Sequence, residues 1–149
     1  MTAIDFSTLG DRIGHEIAVS PWFDVTQARI DAFAEATEDR QWIHVDPVRA
    51  AAHSPFKATI AHGFLTLSLV SVLLRSAMTF TVKMAINYGV NRVRFVSAVP
   101  VGSRLRGRFT PAAVETVGDG VQVTWKVTVE REGQEKPAAV VEWIVRYYV

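Results

Sequence analysis

The sequence predicts an α+β fold in which one long apolar helix packs against an antiparallel sheet. Residues 58–74 contain no Asp, Glu, Lys or Arg, which is typical of a helix buried on nearly every side. Valine and tryptophan alternate strictly with polar residues over 121–129, which is typical of a half-buried strand. A long apolar helix needs a surface around it, and a curved antiparallel sheet supplies one.

Length and composition narrow the classes of protein to consider. At 149 residues the chain is expected to form one domain over 1–149. It contains no cysteine, which excludes disulfides and a cysteine nucleophile and fits a reducing compartment such as the cytoplasm. Its 16 Lys and Arg against 15 Asp and Glu include no long basic run, so nucleic-acid binding is not expected.

Neither a membrane span nor a secretory signal is expected. Residues 58–74 lie at the lower edge of the length that crosses a bilayer, and serine, threonine and histidine interrupt them. Residues 1–5 have neither the basic start nor the apolar run of a secretory signal. The apolar run is therefore interpreted as a buried helix.

Local signals place helices mainly in the first half of the chain and strands mainly in the second. The predicted helices cover residues 27–37, 47–52 and 63–77. Thr26 or Asp24 is expected to cap the first helix, and Asp46 the second. The predicted strands cover residues 14–25 with a break at Pro21, 85–96, 103–117, 121–129 and 138–149, and residues 79–82 are either a weak strand or an extended connection. Turns containing glycine separate the last strands at 100–102, 118–120 and 132–134.

An acid and an imidazole, Asp39 and His44, lie in the loop predicted after the first helix. These are the side chains that general acid–base catalysis uses most often. Trp42 and Ile43 stand between them, which predicts a loop pressed against apolar surroundings where desolvation perturbs titrating groups. The alternative is a structural pair, with the aspartate in a turn and the histidine bonded to a backbone carbonyl.

The start of the apolar helix is a second candidate site. The first amide N–H groups of a helix have no intrahelical partner. Gly63 leaves room for a ligand oxygen there, and the helix dipole favours negative charge. A glycine required only for packing is the alternative. Ser71 lies on a similar face further along, where a bond to a carbonyl of its own helix is the alternative to a functional role.

These motifs in combination resemble the MaoC-like (R)-specific enoyl-CoA hydratases, also called hydratase 2. The resemblance covers roughly residues 10–149 and is densest at 35–75. The residues that match are Asp39-x-x-x-x-His44, Asp46-Pro47, His62-Gly63, Arg94-Phe95 and Val101-Gly102-Ser103.

The resemblance implies a fold, a reaction and an assembly. The fold would be a hot-dog domain, in which a curved antiparallel sheet wraps a long central helix, and two copies would pair as a homodimer. The reaction would be reversible hydration of a trans-2-enoyl-CoA to a (3R)-3-hydroxyacyl-CoA in fatty acid metabolism. Asp39 and His44 would hold the water, and the Gly63 amide would bind the thioester carbonyl. An acyl-CoA is the expected partner, without metal, cofactor, nucleic acid or membrane.

The chain departs from the family pattern Gly-Asp-x-Asn-Pro-x-His around the two chemical residues. Glu38 replaces the glycine, Gln41 the asparagine and Trp42 the proline. Gln41 is therefore expected to support the site in place of the asparagine. In the family the serine matching Ser71 lies near the catalytic aspartate, which implies a supporting role for Ser71 as well.

Two other functions remain open at this stage. A hot-dog acyl-CoA thioesterase would share the carbonyl-binding helix start but would release free CoA. A non-catalytic acyl-CoA-binding protein would keep the fold and lose the reaction. The sequence also leaves open which of Asp39 and His44 is the base, since coupled groups titrate as a pair.

Overall fold

A six-stranded antiparallel sheet curves around one long helix in this computed structural model, which describes residues 2–149. The strands are β1 (Thr2–Ile4), β2 (Ala18–Val19), β3 (Phe23–Asp24), β4 (Met78–Phe80), β5 (Met84–Phe95), β6 (Arg104–Val117), β7 (Gly120–Arg131) and β8 (Ala139–Tyr148). The helices are α1 (Gln27–Thr37), α2 (Trp42–Val45), α3 (Pro47–His53) and α4 (Gly63–Ala77), with a 3-10 turn at Leu9–Arg12. The predicted α+β hot-dog fold is confirmed.

The sheet has one broken edge and one continuous edge. Its order is β2-β6-β7-β8-β5, and β3 pairs with β6 beside β2. The predicted edge strand with a break is confirmed, because Pro21 separates β2 from β3 and both pair antiparallel with β6. β5 forms the opposite edge and pairs with β8. Outside this sheet, β1 and β4 form a two-stranded parallel ladder.

Side-chain caps fix the starts of two helices as predicted. The Thr26 hydroxyl accepts a hydrogen bond from the Arg29 N–H at 3.2 Å, so Thr26 is the cap of α1. The Asp46 carboxylate accepts from the Arg49 N–H at 2.9 Å and caps α3, which begins at Pro47. Both contacts satisfy N–H groups that lack intrahelical partners.

The segment expected to be a loop over 38–44 contains a short helix. Glu38 ends α1 in a left-handed conformation, with φ of 62°. The chain then forms the single turn α2, in which the His44 N–H donates to the Gln41 carbonyl at 2.9 Å. Because this turn directs His44 inward, the histidine is buried on a helix rather than placed in a loop.

One face of α4 is covered by the sheet and the other is open. Leu65, Leu69 and Leu73 are buried, whereas Phe64 is 68% exposed. The expectation of a helix buried on nearly every side is wrong, because the sheet reaches only one side of it. On the covered side Gly107 of β6 allows close approach, since an added Cβ would lie 3.3 Å from the Leu73 Cβ. No helix within residues 2–149 is long and apolar enough to cross a membrane.

Candidate active site

Asp39, His44 and His62 come together where α1, α2 and the start of α4 meet. A carboxylate oxygen of Asp39 and one ring nitrogen of each histidine lie within 4.8 Å of one another. Asp39 is exposed, while His44 and His62 are 7% and 2% exposed. The structure therefore brings together the two residues paired by the sequence motif and adds a third.

The His44 ring is held in one tautomer by a backbone carbonyl. Its Nδ1 lies 2.6 Å from the Ile60 carbonyl oxygen. A carbonyl only accepts, so Nδ1 carries the proton and Nε2 of the neutral ring keeps a lone pair. Burial lowers the pKa of His44, and His62 lowers it further, against the raising effects of the Ile60 bond and the Asp39 charge. Neutral His44 is therefore oriented to accept a proton at Nε2.

His62 contacts both other members of the cluster. Its Nε2 lies 2.9 Å from the Asp39 carbonyl oxygen, which makes it the donor of a hydrogen bond. Its ring stacks on that of His44, with centroids 3.8 Å apart and planes inclined by 23°. The sequence motif contained His62 but gave it no role of its own. Its position directly before the first helical residue is the signal that could have identified it.

The cluster is a poor metal chelate despite its donor set. Aspartate and histidine are accepted ligands of divalent transition metals. A metal bonds in the plane of an imidazole, along the nitrogen lone pair. The rings of His44 and His62 are stacked with their planes inclined by only 23°, so their in-plane lone pairs lie in separate layers. The arrangement suits a small hydrogen-bonding ligand better than an ion.

Gly63 begins α4 directly after His62. As the first helical residue it has no intrahelical partner for its N–H, and within residues 2–149 no other acceptor bonds to it. It lines a cavity of about 260 Å³ together with Thr66 and Phe95. An added Cβ on Gly63 would lie 2.7 Å from the Phe95 ring. The glycine is therefore needed for packing, and its N–H still faces no acceptor in the described part of the chain.

Ser71 lies apart from this cluster. It lines two cavities, of about 600 and 260 Å³, that it shares with Asn87 and Trp143. The lining of neither cavity includes Asp39 or His44. Ser68 one turn earlier bonds back to a carbonyl of α4, whereas the Ser71 hydroxyl makes no hydrogen bond within residues 2–149. Its hydroxyl is free for a ligand in the cavity.

The side chain that supports α2 is Gln27 rather than Gln41. Gln41 is exposed and contributes its backbone carbonyl to the His44 N–H. The Gln27 amide nitrogen donates to the His44 carbonyl at 2.8 Å, and the Thr59 hydroxyl donates to the Gln27 amide oxygen. No local pattern predicts this role for Gln27, which is an ordinary polar residue in the first turn of an amphipathic helix.

A family model and several known proteins match the chain over nearly its whole length. A family model described as MaoC like domain matches residues 8–144. The 3-hydroxyacyl-thioester dehydratase Z of Mycobacterium tuberculosis is 54% identical over 136 residues, which cover 90% of this chain and 89% of that protein. Nodulation protein N of Rhizobium leguminosarum bv. viciae is 48% identical over 147 residues, covering 97% and 91%.

A solved structure agrees with these relatives. The (R)-hydratase from A. caviae involved in PHA biosynthesis superposes with a TM-score of 0.67 at 26% identity, covering 89% of this chain and 94% of that one. The sequence relatives and the fold therefore agree, and the chain belongs to the MaoC-like domain family.

Proposed function

We propose that this protein adds water reversibly to a trans-2-enoyl-CoA, forming a (3R)-3-hydroxyacyl-CoA. The observation that carries the proposal is the Asp39 carboxylate within 4.8 Å of a ring nitrogen of His44, close to the start of α4. The relative that is 54% identical is named a 3-hydroxyacyl-thioester dehydratase, and dehydration is the reverse of the same reaction.

The separation of the two groups fits one water molecule held between them. Two hydrogen bonds of ordinary length at a tetrahedral angle span about 4.5 Å. In the proposed reaction the water oxygen adds to C3 as one water proton passes to Nε2 of His44, while the Asp39 carboxylate orients the water. The pair then returns a proton to C2, so that the sum is one water added. His44 is the proposed base, because its Nδ1 is already bonded to Ile60.

The Gly63 N–H is the proposed donor to the thioester carbonyl. As the hydroxyl adds to C3, negative charge develops on that carbonyl oxygen in an enolate. A fixed N–H at a helix start stabilises this charge more than it stabilises the neutral substrate, and so lowers the barrier. The supporting observation is that this N–H has no other acceptor among residues 2–149.

The direct test supplies the purified protein with trans-2-enoyl-CoA thioesters of increasing chain length. We expect the 3-hydroxyacyl-CoA to form with R configuration on chiral analysis and without free thiol. Rapid thiol release from saturated acyl-CoA would identify a thioesterase instead. Binding of acyl-CoA without turnover at any chain length would identify a non-catalytic binding protein.

We also propose that two copies pair through β5. The strand is exposed along almost its whole length and carries apolar side chains, among them Ile86 at 42% and Tyr88 at 57% exposure. The open face of α4, with Phe64, supplies a second apolar surface. Pairing across a two-fold axis would give β5 a neighbouring strand. Sedimentation velocity at micromolar concentration should detect a dimer, and a monomer there would contradict the pairing.

The setting of the reaction is proposed as fatty acid metabolism in the cytoplasm. A fatty acyl thioester is the proposed substrate, and a chain without cysteine suits a reducing compartment. Fractionation of cells that produce the protein, followed by the hydration assay on each fraction, tests the location.

A further inference from the structure

We infer that His62 is a positioning residue that fixes the Asp39 backbone and the His44 ring relative to the start of α4. The inference rests on the proposed hydratase function, in which Asp39 and His44 share a water. His62 would act through these two residues, without contacting the substrate or the reacting atoms.

The contact with Asp39 ties a loop to the body of the protein. The Asp39 carboxylate is exposed and accepts no hydrogen bond within residues 2–149, so nothing there holds its side chain directly. The Asp39 N–H reaches only the Thr37 hydroxyl, at 3.5 Å. The bond from His62 Nε2 to the Asp39 carbonyl, at 2.9 Å, is shorter and comes from a different element. It limits where the carboxylate can lie.

The contact with His44 works together with the neighbouring backbone. Ile60 accepts from His44 Nδ1 at one edge of the ring, and its own N–H donates to the Ile43 carbonyl at 3.0 Å. Two residues later, His62 covers one face of the same ring at 3.8 Å. The segment 60–62 therefore restrains both the edge and the face of His44, and the imidazole has little freedom to tilt.

The side chain of His62 is not used for capping, although His62 is the N-cap of α4. It makes no capping hydrogen bond, whereas its carbonyl accepts from the N–H groups of Leu65 and Thr66. The backbone of His62 thus belongs to the helix start while its ring belongs to the acid–base pair. A shift of one is transmitted to the other, which keeps the Gly63 N–H in register with the pair.

A packing role alone does not account for this residue. His62 is 2% exposed beside Phe33, yet its Nδ1 has no hydrogen-bond partner among residues 2–149. A buried polar atom without a partner carries a desolvation cost that no hydrogen bond offsets. An apolar ring would fill the same space without that cost. What a histidine supplies here and an apolar ring does not is therefore the Nε2–H and the effect on His44, whose pKa responds to His62 and Asp39.

The test compares two substitutions of His62 in the full-length protein. His62→Phe keeps a ring to stack on His44 and removes the N–H, whereas His62→Gln supplies an N–H near the position of Nε2. We expect His62→Phe to lower kcat by about 10–100-fold, as for other lost positioning contacts, with little change in KM. His62→Gln should recover most of kcat. His53→Gln, at the exposed end of α3, is the matched control and should leave kcat unchanged.

An NMR titration detects the effect of His62 on His44 without an activity assay. The His44 ring is titrated by NMR in the wild type and in His62→Phe, and the apparent pKa of His44 should rise in the variant, because a lowering influence is gone. A folded His62→Phe with wild-type kcat and an unchanged His44 titration would overturn the inference. So would equal losses in the Phe and Gln variants. If wild-type protein hydrates no enoyl-CoA, the proposed function fails, and the NMR titration still decides on His62.

Should His62→Phe not fold, His62→Asn provides the same contrast. Its amide is too short to reach the Asp39 carbonyl, while a polar side chain remains at the position. A kcat close to that of His62→Gln would then exclude the proposed hydrogen bond as the positioning contact.

Discussion

The two groups proposed to share a water are held in very different ways. The loop side, residues 38–41, carries Asp39 exposed and attached mainly through its backbone. The fixed side, α2 with residues 60–63, carries His44 buried, bonded at one edge and stacked on one face. The difference indicates a firmly held imidazole and a more adjustable carboxylate, so that the proposed water and substrate would settle against the histidine.

The largest expected effect comes from removing either group. Asp39→Asn and His44→Ala should each lower kcat/KM for enoyl-CoA hydration by about 10²–10⁴-fold. The double variant should be little worse than either single one, because residues that act as a unit are not additive. Fully additive losses would indicate that the two groups do not share one water.

The same pair of variants should differ in stability. Asp39→Asn is an exposed change and should alter the free energy of unfolding by less than about 0.5 kcal/mol. His44→Ala empties a buried site on the fixed side and should lower it by about 1–3 kcal/mol. Urea unfolding measures both. Equal effects would contradict the contrast between the two sides.

Gly63→Val disturbs the fixed side at the helix start. The valine side chain should hinder the approach of the thioester oxygen to the N–H. We therefore expect kcat to fall by about 10²–10³-fold, as for the loss of one oxyanion donor. Its Cβ would also lie 2.7 Å from the Phe95 ring, so crowding alone could lower activity. Phe95→Ala relieves that crowding and serves as the control background. If the double variant Gly63→Val/Phe95→Ala regains the activity of Phe95→Ala, crowding against Phe95 explains the loss rather than blocked access to the N–H. A folded Gly63→Val variant with full activity would contradict the proposed carbonyl donor.

The pH profile should reflect the burial of His44. Because burial lowers the pKa of His44 and the neutral ring is the proposed base, kcat/KM should stay high down to about pH 6.5, the ordinary histidine pKa. It should fall only at lower pH, as His44 becomes protonated. In Asp39→Asn this fall in kcat/KM should occur at a still lower pH, since the Asp39 charge raises the pKa of His44. An acid limb centred above the ordinary histidine value would contradict this assignment of the base.

The smallest effect is expected on the loop side. Glu38 has φ of 62°, a conformation that favours glycine. Glu38→Gly should therefore raise the free energy of unfolding by about 0.5–1 kcal/mol while kcat is unchanged. Urea unfolding and the hydration assay check the two parts. A loss of stability would mean that the glutamate side chain contributes more than its backbone conformation costs.

Local signals predicted most of the fold. The bounds of α1 and α4 match the predicted 27–37 and 63–77, because a threonine cap, a glycine start and hydrophobic spacing are read within a few residues. The open face of α4 was missed, since an apolar residue covered by a sheet and one left exposed look alike in sequence. The assignment of 1–149 to one domain stays a prediction.

The site could be predicted from the sequence less completely than the fold. The motif named Asp39 and His44, and the structure places them together, while their chemical roles and those of Gly63, Ser71 and Gln41 stay predictions. The contacts of His62 with Asp39 and of Gln27 with His44 join segments far apart in the chain. Such contacts depend on how the helices pack, and no local pattern encodes them.

The two edges of the sheet also determine how far it can grow. Pro21 divides one edge into two strands, β2 and β3, of two residues each, and a proline offers no N–H to an incoming chain. A copy that joins through β5 uses up the long continuous edge found within residues 2–149. In a pair formed in this way, the edges of the six-stranded sheet that face outward would be the broken β2–β3 edges. Strand addition would then stop at a closed particle, which would block the route to an extended cross-β fibre in the native state.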